Sequence, residues 1–464
     1  MLACSFFVLK SFCVGALPIN RPLPPPLPAL QGARRNLWCT ADDPGKTRGP
    51  RATQPEGKMT ARPAATNRYN ARKETVLAAA VDILNQQGVR GVTFAEVAGA
   101  VGLTTTSVAY YFPRKEDLVS ACMVRAVERW DAMIEAASAE PTPAARLETL
   151  IRLYLENQFL IRAGEAPPMA RFDEVRALRP PHAGVVRNAL QAMVRRLRGL
   201  MEGPEMAWAG RRGLNARANL VLEQLLWSVV WIEHYDAEDA PRLAARLLDA
   251  LLGGIARPGA AWTPQILTPA LPDTQDSGAD AFLMAATRLI NEIGYRGASV
   301  ARISESLNVT KGAFYHHNDA KDDLVIACFE RTFEITRQTQ LAASALESDG
   351  WTRLTTAAAS LVAFQLSEQG PLMRASALSV LPDPLRRTIL ADSGRVSRRF
   401  ASMISDGIAD GSLRAVDPLV ASEMLYAGIN SVLELVRLVP DITGPQAIDL
   451  YLKPTLYGLF TRLD

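Results

Sequence analysis

The chain has 464 residues, which is too long for one ordinary hydrophobic core and predicts roughly two to four domains. Its formal net charge of +3 is concentrated at the N-terminus, where residues 1–58 hold eight Lys/Arg against three Asp/Glu. The rest is slightly acidic, so bulk charge supplies no affinity for nucleic acid, and any such affinity has to come from local basic patches.

The N-terminal segment, residues 1–66, is predicted to be disordered, because it is proline-rich and then basic. The mostly apolar run Ser5–Leu17 is too short to span a bilayer, and it is compatible with a weak secretory signal. The proline tract Arg21–Pro28 and the lack of helical periodicity favour an extended segment instead. Met59 is an alternative start, since it would place a short basic arm directly before the first helix.

The sequence repeats itself. Residues 76–125 align without a gap with residues 282–331, at an offset of 206 positions and with 16 identities. The identical pairs include Asn85/Asn291, Gly88/Gly294, Thr104/Thr310, Lys115/Lys321, Cys122/Cys328 and Arg125/Arg331. A repeat of this length indicates that one small helical unit occurs twice.

The cysteine pattern argues for a reducing, intracellular setting. The five cysteines form no CxxC pair and no even framework. The two that lie inside the repeated units, Cys122 and Cys328, are predicted to be buried and unreactive. We therefore expect no disulfides and a cytoplasmic protein.

The first unit is predicted to contain three short helices. Apolar residues at helical spacing predict the first helix over residues 75–88, with a C-terminal glycine. Thr93–Glu96 fits a capping box at the start of the second helix. Gly102 permits a left-handed turn, and Thr104 caps a third helix over residues 105–112. Two short helices joined by a tight turn make a helix-turn-helix.

The third helix is predicted to present small polar groups and a tyrosine to solvent, with Val108 and Phe112 pointing inward. Hydroxyl groups bond phosphates or base edges, and lysine and arginine bind phosphates. The residues predicted to contact double-stranded DNA are Thr93, Thr104, Thr105, Thr106, Ser107, Tyr110, Tyr111, Lys115, Arg68 and Arg72. The alternative is a helical hairpin that contacts other proteins.

The pattern T-x-x-x-V-A-x-x-V-G-L-T-x-x-S-V-x-x-Y-F-x-x-K-E-D-L over residues 93–118 resembles the DNA-binding domain of the TetR family of bacterial one-component repressors. The resemblance implies an all-α fold, in which a fourth helix over residues 115–136 links a DNA-reading head to a helical ligand-binding domain. One position departs from the family, because Ala109 stands where a large residue is common. The base readout is therefore expected to differ.

The region after each unit is predicted to be helical, with helices over 141–164, 185–201, 215–235, 241–252, 351–369, 384–410, 418–438 and 445–463. The resemblance implies that the last two helices of each region form a four-helix dimer bundle. Residues 255–280 are predicted to be a linker. Trp227, Trp231, His234 and Tyr235 are candidates for a ligand cavity, although tryptophans at helical spacing more often belong to a core.

The second unit differs from the first in its predicted reading surface. Its candidate DNA contacts are Thr310, Lys311, Gly312, Ala313, Tyr315, His316 and Lys321. Asn318 replaces the aromatic Phe112, and an acidic lead-in with Asp273, Asp276 and Asp280 repels phosphate. We expect both heads to contact DNA, with the first contributing more electrostatic affinity; the alternative is a second head that is only structural.

The predicted organisation has six segments: 1–66, disordered; 67–130, helix-turn-helix domain 1; 131–258, regulatory domain 1; 259–279, linker; 280–336, helix-turn-helix domain 2; and 337–464, regulatory domain 2. Catalytic motifs and metal-ligand spacings are absent from the sequence, so we expect no enzyme, cofactor, metal site or membrane anchor. The predicted function is a DNA-binding transcriptional regulator, a repressor released by a small apolar or amphipathic ligand. Its heads would act as an intrachain pseudo-dimer, or within a homodimer, on an imperfect palindrome. The alternative is a helical scaffold or adaptor.

Overall fold

The first half of the protein contains eight α-helices within the residues that the structure describes. This computed structural model describes residues 63–464 except 173–174, 176, 270–276, 295–297, 307–320, 375–377, 379–380, 382, 439–441 and 463–464. The helices are α1 Pro63–Gly91, α2 Phe94–Ala100, α3 Thr105–Tyr111, α4 Lys115–Ser138, α5 Pro143–Arg162, α6 His182–Leu200, α7 Gly210–Trp231 and α8 Ala240–Gly253.

The second half repeats this order in its described part. Its helices are α9 Ser277–Ile293, α10 Val300–Ser306, α11 Lys321–Ser344, α12 Gly350–Gln365, α13 Asp383–Ala409, α14 Pro418–Leu438, α15 Gly444–Ala447 and α16 Lys453–Tyr457, with a π-helical turn Ile448–Leu452 between the last two. The predicted all-α fold is confirmed. Seven of the helices predicted after the units are found within about five residues of their expected ends, whereas the predicted helix 445–463 is divided into α15, the π-helical turn and α16, which ends at Tyr457.

Helix α1 begins at Pro63, well before the predicted start at residue 75. Proline suits the first turn of a helix because its φ angle is already helical, and no helix breaker follows it before Gly88. The predicted basic arm therefore forms the first turns of α1, which also include residues 63–66 of the segment predicted to be disordered. At Gly88 the backbone leaves helical geometry with φ of 66°, which is the predicted stop.

The apolar residues form three clusters. One fills the first head and includes Val97, Val108 and Phe112. A second fills the described part of the other head and includes Phe282 and Ile303. The third and largest joins the regulatory regions of both halves in one continuous core. Each head thus has a core of its own, whereas the regulatory regions share one.

The shared core is crossed by contacts between α7 and α14, between α8 and α14, and between α7 and the π-helical turn. Polar side chains of α7 are hydrogen-bonded to the second half within this packing. Gln224 Nε2 donates to the carbonyl oxygen of Met424 at 2.8 Å, and Asn219 Nδ2 donates to the hydroxyl of Tyr451 at 3.1 Å. The two halves are therefore held together by specific pairs as well as by apolar burial.

The described part of the predicted linker, residues 255–269, is packed against the second half. The backbone N–H groups of Gln265 and Leu267 donate to the hydroxyls of Thr356 and Ser360, one turn apart on α12, at 3.0 and 2.9 Å. The segment between Gly253 and residue 270 therefore runs as an ordered strap along α12. Within the described ranges, no helix is long and apolar enough to cross a membrane.

Candidate nucleic-acid interface

The helix-turn-helix of the first head is fixed by local capping. Thr104 Oγ1 accepts from the backbone N–H of Ser107 at 3.2 Å, and the two hydroxyls are 2.9 Å apart. Thr93 Oγ1 accepts from the N–H of Glu96 at 3.2 Å, as the predicted capping box requires. The second bond of the box differs, because the Glu96 carboxylate accepts from the Thr93 hydroxyl and not from the backbone N–H of Thr93. Gly102 has the predicted positive φ, 64°. These local rules orient α3 on α2.

Helix α3 has one buried and one exposed face. Val108 and Phe112 are buried, as predicted, and both belong to the head's core. Thr105 and Thr106 are exposed, and the Tyr110 side chain is 73% exposed. Ser107, Ala109 and Tyr111 are half-buried between the faces. The exposed face is therefore short and hydroxyl-rich, with one projecting aromatic ring.

A cluster of three tyrosines joins this face to α1. The ring of Tyr69 lies 6.0 Å from that of Tyr110 and 5.0 Å from that of Tyr111, and the last two rings are 5.4 Å apart. Tyr69 was not among the predicted contacts. A signal was present, because Tyr69 stands between Arg68 and Arg72 on a stretch that continues into the first helix.

The basic residues around α3 differ in their partners. Arg68 and Arg72 are exposed on α1. Lys115 Nζ donates to the carbonyl oxygen of Arg90 at 2.9 Å, and Arg114 forms an ion pair with Asp117 at 3.2 Å. An ammonium carries three donors, so the bond to Arg90 positions the Lys115 charge beside the turn before α2. Lys115 stays a predicted phosphate contact.

The start of α4 connects the head to the regulatory region. The Asp117 carboxylate accepts from the backbone N–H of Arg114 at 3.1 Å and lies 2.8 Å from Nε2 of His182, the first residue of α6. The hydrogen bonds with His182 and Arg114 hold the pKa of Asp117 below its usual value. One carboxylate thus caps α4 and joins it to α6.

Asparagines at equivalent positions attach each head to its regulatory region. Asn85 Nδ2 donates to the carbonyl of Met169 at 2.9 Å, and its Oδ1 accepts from the N–H of Arg171 at 3.0 Å. Asn291 repeats this pair, with Leu372 at 2.8 Å and Arg374 at 3.0 Å. The sequence repeat shows that the two asparagines are equivalent, but it does not show that they bind the regulatory regions.

The reading surface of the second head lies outside the described residues. This applies to Thr310, Lys311, Gly312, Ala313, Tyr315 and His316, and the side chain of Lys321 is not described either. In the acidic segment before this head, the Asp280 carboxylate forms an ion pair with the buried guanidinium of Arg331 at 2.6 Å. Its charge is neutralised locally, so it adds less phosphate repulsion than predicted.

The repeated cysteines are buried thiols. Cys122 is 1% and Cys328 0% exposed, and burial raises the pKa of each thiol to about 12. A thiol that stays protonated at neutral pH is a poor nucleophile.

The four candidate ligand residues differ in exposure and in their contacts. Trp227 and Trp231 are buried, His234 is exposed, and Tyr235 contacts the Trp231 ring edge-on at 6.0 Å. Trp227 borders a small gap in the second half, and its Nε1 donates to the Glu423 carboxylate at 2.9 Å.

The comparisons with known proteins agree with this geometry. The family model described as "Bacterial regulatory proteins, tetR family" matches residues 76–122 and again residues 282–328. The HTH-type transcriptional regulator RutR of Escherichia coli strain K12 is 34% identical over 87 residues, which are 19% of this chain and 41% of RutR. The chain therefore spans about two fifths of the length of the curated relatives it matches.

Two solved structures are similar over more than a third of the chain. AibR, in complex with isovaleryl coenzyme A and operator DNA, is 21% identical and covers 36% of this chain and 92% of its own, with a TM-score of 0.31. PfmR from Thermus thermophilus is 19% identical and covers 39% of this chain and 99% of its own, with a TM-score of 0.32. On the two matches to the family model and the two helical units that carry them, the chain contains the N-terminal unit of the TetR family twice.

Proposed function

We propose that the protein is a transcriptional regulator that binds double-stranded DNA through its helix-turn-helix heads. The observation that carries this proposal is the exposed face of α3, where Thr105, Thr106 and Tyr110 stand on a helix whose other face is buried. Small hydroxyl side chains at the start of a short helix fit the major groove, and Arg68 and Arg72 on α1 supply phosphate affinity. The second head contributes less electrostatic affinity, because the first has the basic start of α1.

The two heads of one chain act as a pseudo-dimer. Support comes from the packing of α7 and α8 against α14 and from the hydrogen bonds that cross it. Two unlike heads read an imperfect palindrome, with half-sites about 34–36 Å apart.

Regulation is by release from DNA when a small apolar or amphipathic ligand binds among the regulatory helices. Helices α4 and α11 support this, because each begins at its head and ends in the shared core. A ligand that favours one arrangement of that core shifts the separation of the heads, and a few ångströms suffice to lose the groove spacing.

A gel shift on the DNA upstream of the protein's own gene, repeated over a range of salt concentrations, tests the proposal. We expect a specific complex that weakens steeply with salt. Light scattering on free protein and complex should give one 50.4 kDa chain per operator. A chain that is always dimeric contradicts the pseudo-dimer, and a chain that binds no DNA contradicts the regulator.

A further inference from the structure

The two regulatory regions, although equivalent in plan, are packed differently inside. Helices α4 and α11 are both 24 residues long and start at the equivalent residues Lys115 and Lys321. The segments held by Asn85 and Asn291 fix a second correspondence, at an offset of 203, which makes Met169 equivalent to Leu372. The same offset places residue 190 of α6 opposite residue 393 of α13.

In the first half this interior is filled by aromatic rings. Trp130 of α4 and Tyr154 of α5 stack with centroids 4.6 Å apart, and both are almost completely buried. The position equivalent to Trp130 on α11 is Thr336, which is also fully buried. Its hydroxyl donates to the carbonyl oxygen of Thr332 on its own helix. At this position the second half thus has a small polar side chain where the first has a large ring.

The second half contains a gap at the level of Phe333. The gap is about 10 Å³, close to the space that one water molecule needs. Its wall includes Phe333 of α11, Met373 of the segment after α12, Ser393 of α13, and Tyr426 and Asn430 of α14. The first half completes the wall with the Trp227 ring, which packs edge-on against the Tyr426 ring at 5.7 Å.

The gap combines an apolar lining with polar groups that are hydrogen-bonded to one another. Burial raises the pKa of Tyr426 to about 12, so its hydroxyl stays protonated among the side chains of Ser393 and Asn430. The side-chain oxygens of Tyr426, Ser393 and Asn430 lie in the wall of the gap, and each can accept a hydrogen bond from a ligand O–H or N–H.

The wall of the gap is also part of the joint to the second head. Met373 belongs to the core of that head, and its backbone N–H donates to the Thr332 hydroxyl at 2.8 Å. Asn291 holds the residues on both sides of Met373, through the Leu372 carbonyl and the Arg374 N–H. A ligand that enlarges the gap by displacing the Met373 side chain acts on the segment that positions the head. Methionine suits such a wall because its side chain adapts to different shapes.

We propose that the second half alone binds the effector, one molecule per chain, in the gap beside Met373, and that the effector is a small, largely apolar or aromatic molecule with one O–H or N–H donor. This rests on the proposed ligand response. The equivalent of Met373 in the first half is Ala170, and the equivalent of Ser393 is Leu190. The larger Leu190 side chain takes the space that Ser393 leaves open, so the effector binds the second half and moves the second head relative to the first.

Phenol and toluene are suitable probes, because they differ in one hydroxyl. The full chain, labelled with ¹³C on the methionine methyl groups, is titrated with each and followed by NMR. We expect the Met373 resonance, assigned through Met373→Leu, to shift saturably, with phenol binding about tenfold more tightly than toluene, as one buried hydrogen bond provides. Met123 and Met193, which lie in the first half, should not respond.

Matched variants exchange the residues of the two halves. Ser393→Leu gives the second half the side chain of the first, and should abolish the Met373 response. Leu190→Ser is the reverse change and should leave one site per chain. Tyr426→Phe keeps the ring but should reduce the preference for phenol, which supplies a readout if Ser393→Leu does not fold. In hydrogen exchange, phenol should speed exchange of the Met373 and Arg374 amides and leave that of Arg171 unchanged.

Four results overturn the inference: equal binding of phenol and toluene, a saturable response at Met123 or Met193, a Met373 response that persists in folded Ser393→Leu protein, or no Met373 response in the wild type. The gel shift is run on the same preparation without a probe. Protein that binds DNA but lacks the Met373 response contradicts only this inference, whereas protein that binds no DNA contradicts the proposed function itself.

Discussion

Asn85 and Asn291, 206 positions apart, hold their heads by the same pair of hydrogen bonds, each amide bonding one carbonyl and one N–H of an irregular segment of the regulatory region. An amide side chain carries a donor and an acceptor on one planar group, so it can satisfy a backbone acceptor and a backbone donor two residues apart at once. The heads are therefore attached through the same chemistry, although their reading surfaces differ in sequence.

Replacing either asparagine should loosen one head. Asn85→Ala and Asn291→Ala each leave a partly buried carbonyl and N–H without a partner, so we expect each to lower the free energy of unfolding by about 1–3 kcal/mol. Urea denaturation measures the loss. Asn188→Ala, at an exposed position on α6, is the control and should change the stability by less than about 0.5 kcal/mol. Equal stability of all three variants would show that the pairs do not hold the heads.

The repeat also contains two ion pairs at equivalent positions that differ in their exposure. Arg125 with Glu74 is 3.1 Å long and partly exposed, whereas the equivalent Arg331 with Asp280 is 2.6 Å long, with an Arg331 side chain that is only 2% exposed. Glu74→Gln should cost about 0–1 kcal/mol, because solvent screens that pair. Asp280→Asn should cost about 3–5 kcal/mol, because it leaves a buried guanidinium without its counter-charge. Chemical denaturation of both variants tests the order, and similar losses would contradict it.

The parts of the fold that follow from local rules were predictable from the sequence. The cap at Thr104, the left-handed turn at Gly102 and the inward side chains of α3 depend on residues within one or two turns. The repeat then transferred the same expectation to the second head without further information.

The joints and the strap were not predictable in the same way. The partners of Asn85 lie 84 and 86 residues away in a segment without periodicity, so the asparagine carries no signal of its role. The sequence predicts a linker at the strap because this segment lacks periodicity, and its two bonds to α12 come from backbone N–H groups, which the side-chain pattern does not record. The difference between Leu190 and Ser393 also gives no sequence signal of a gap, since either residue can stand within a helix.

Glu423 gives the stability a specific dependence on pH. Burial raises the pKa of this carboxyl above its usual value of 4.5, despite hydrogen bonds from Ser397 and Trp227. A carboxyl with a higher pKa in the folded state binds its proton more tightly there, so its ionisation destabilises the fold as the pH rises from about 4.5 through the folded-state pKa.

Glu423→Gln should therefore melt at a higher temperature than wild type near about pH 8, and the difference should vanish near about pH 4, where both side chains are neutral. The glutamine oxygen can accept from Trp227, and its amide can donate to the Ser397 hydroxyl. Thermal melts across this range measure the effect, with exposed Glu148→Gln as the control. A difference that is constant with pH would show that packing, and not the charge, is responsible.

Variants of the first head should distinguish phosphate contacts from base contacts. Arg68→Gln and Arg72→Gln each remove a phosphate contact, so each should lower the slope of log K against log salt by about one and weaken binding to all sequences alike. Tyr110→Ala removes the 73% exposed ring at the tip of α3 and should weaken operator binding by about tenfold without changing that slope.

Gel shifts with operator and random DNA, over a range of salt concentrations, measure both effects. Val185→Ala, which removes an exposed apolar side chain on α6, is the control for general surface changes. An unchanged slope in the arginine variants would place the phosphate contacts elsewhere in the chain. Equal weakening of operator and random DNA by Tyr110→Ala would mean that α3 binds the backbone without reading bases, and the sequence specificity would then have to come from the second head.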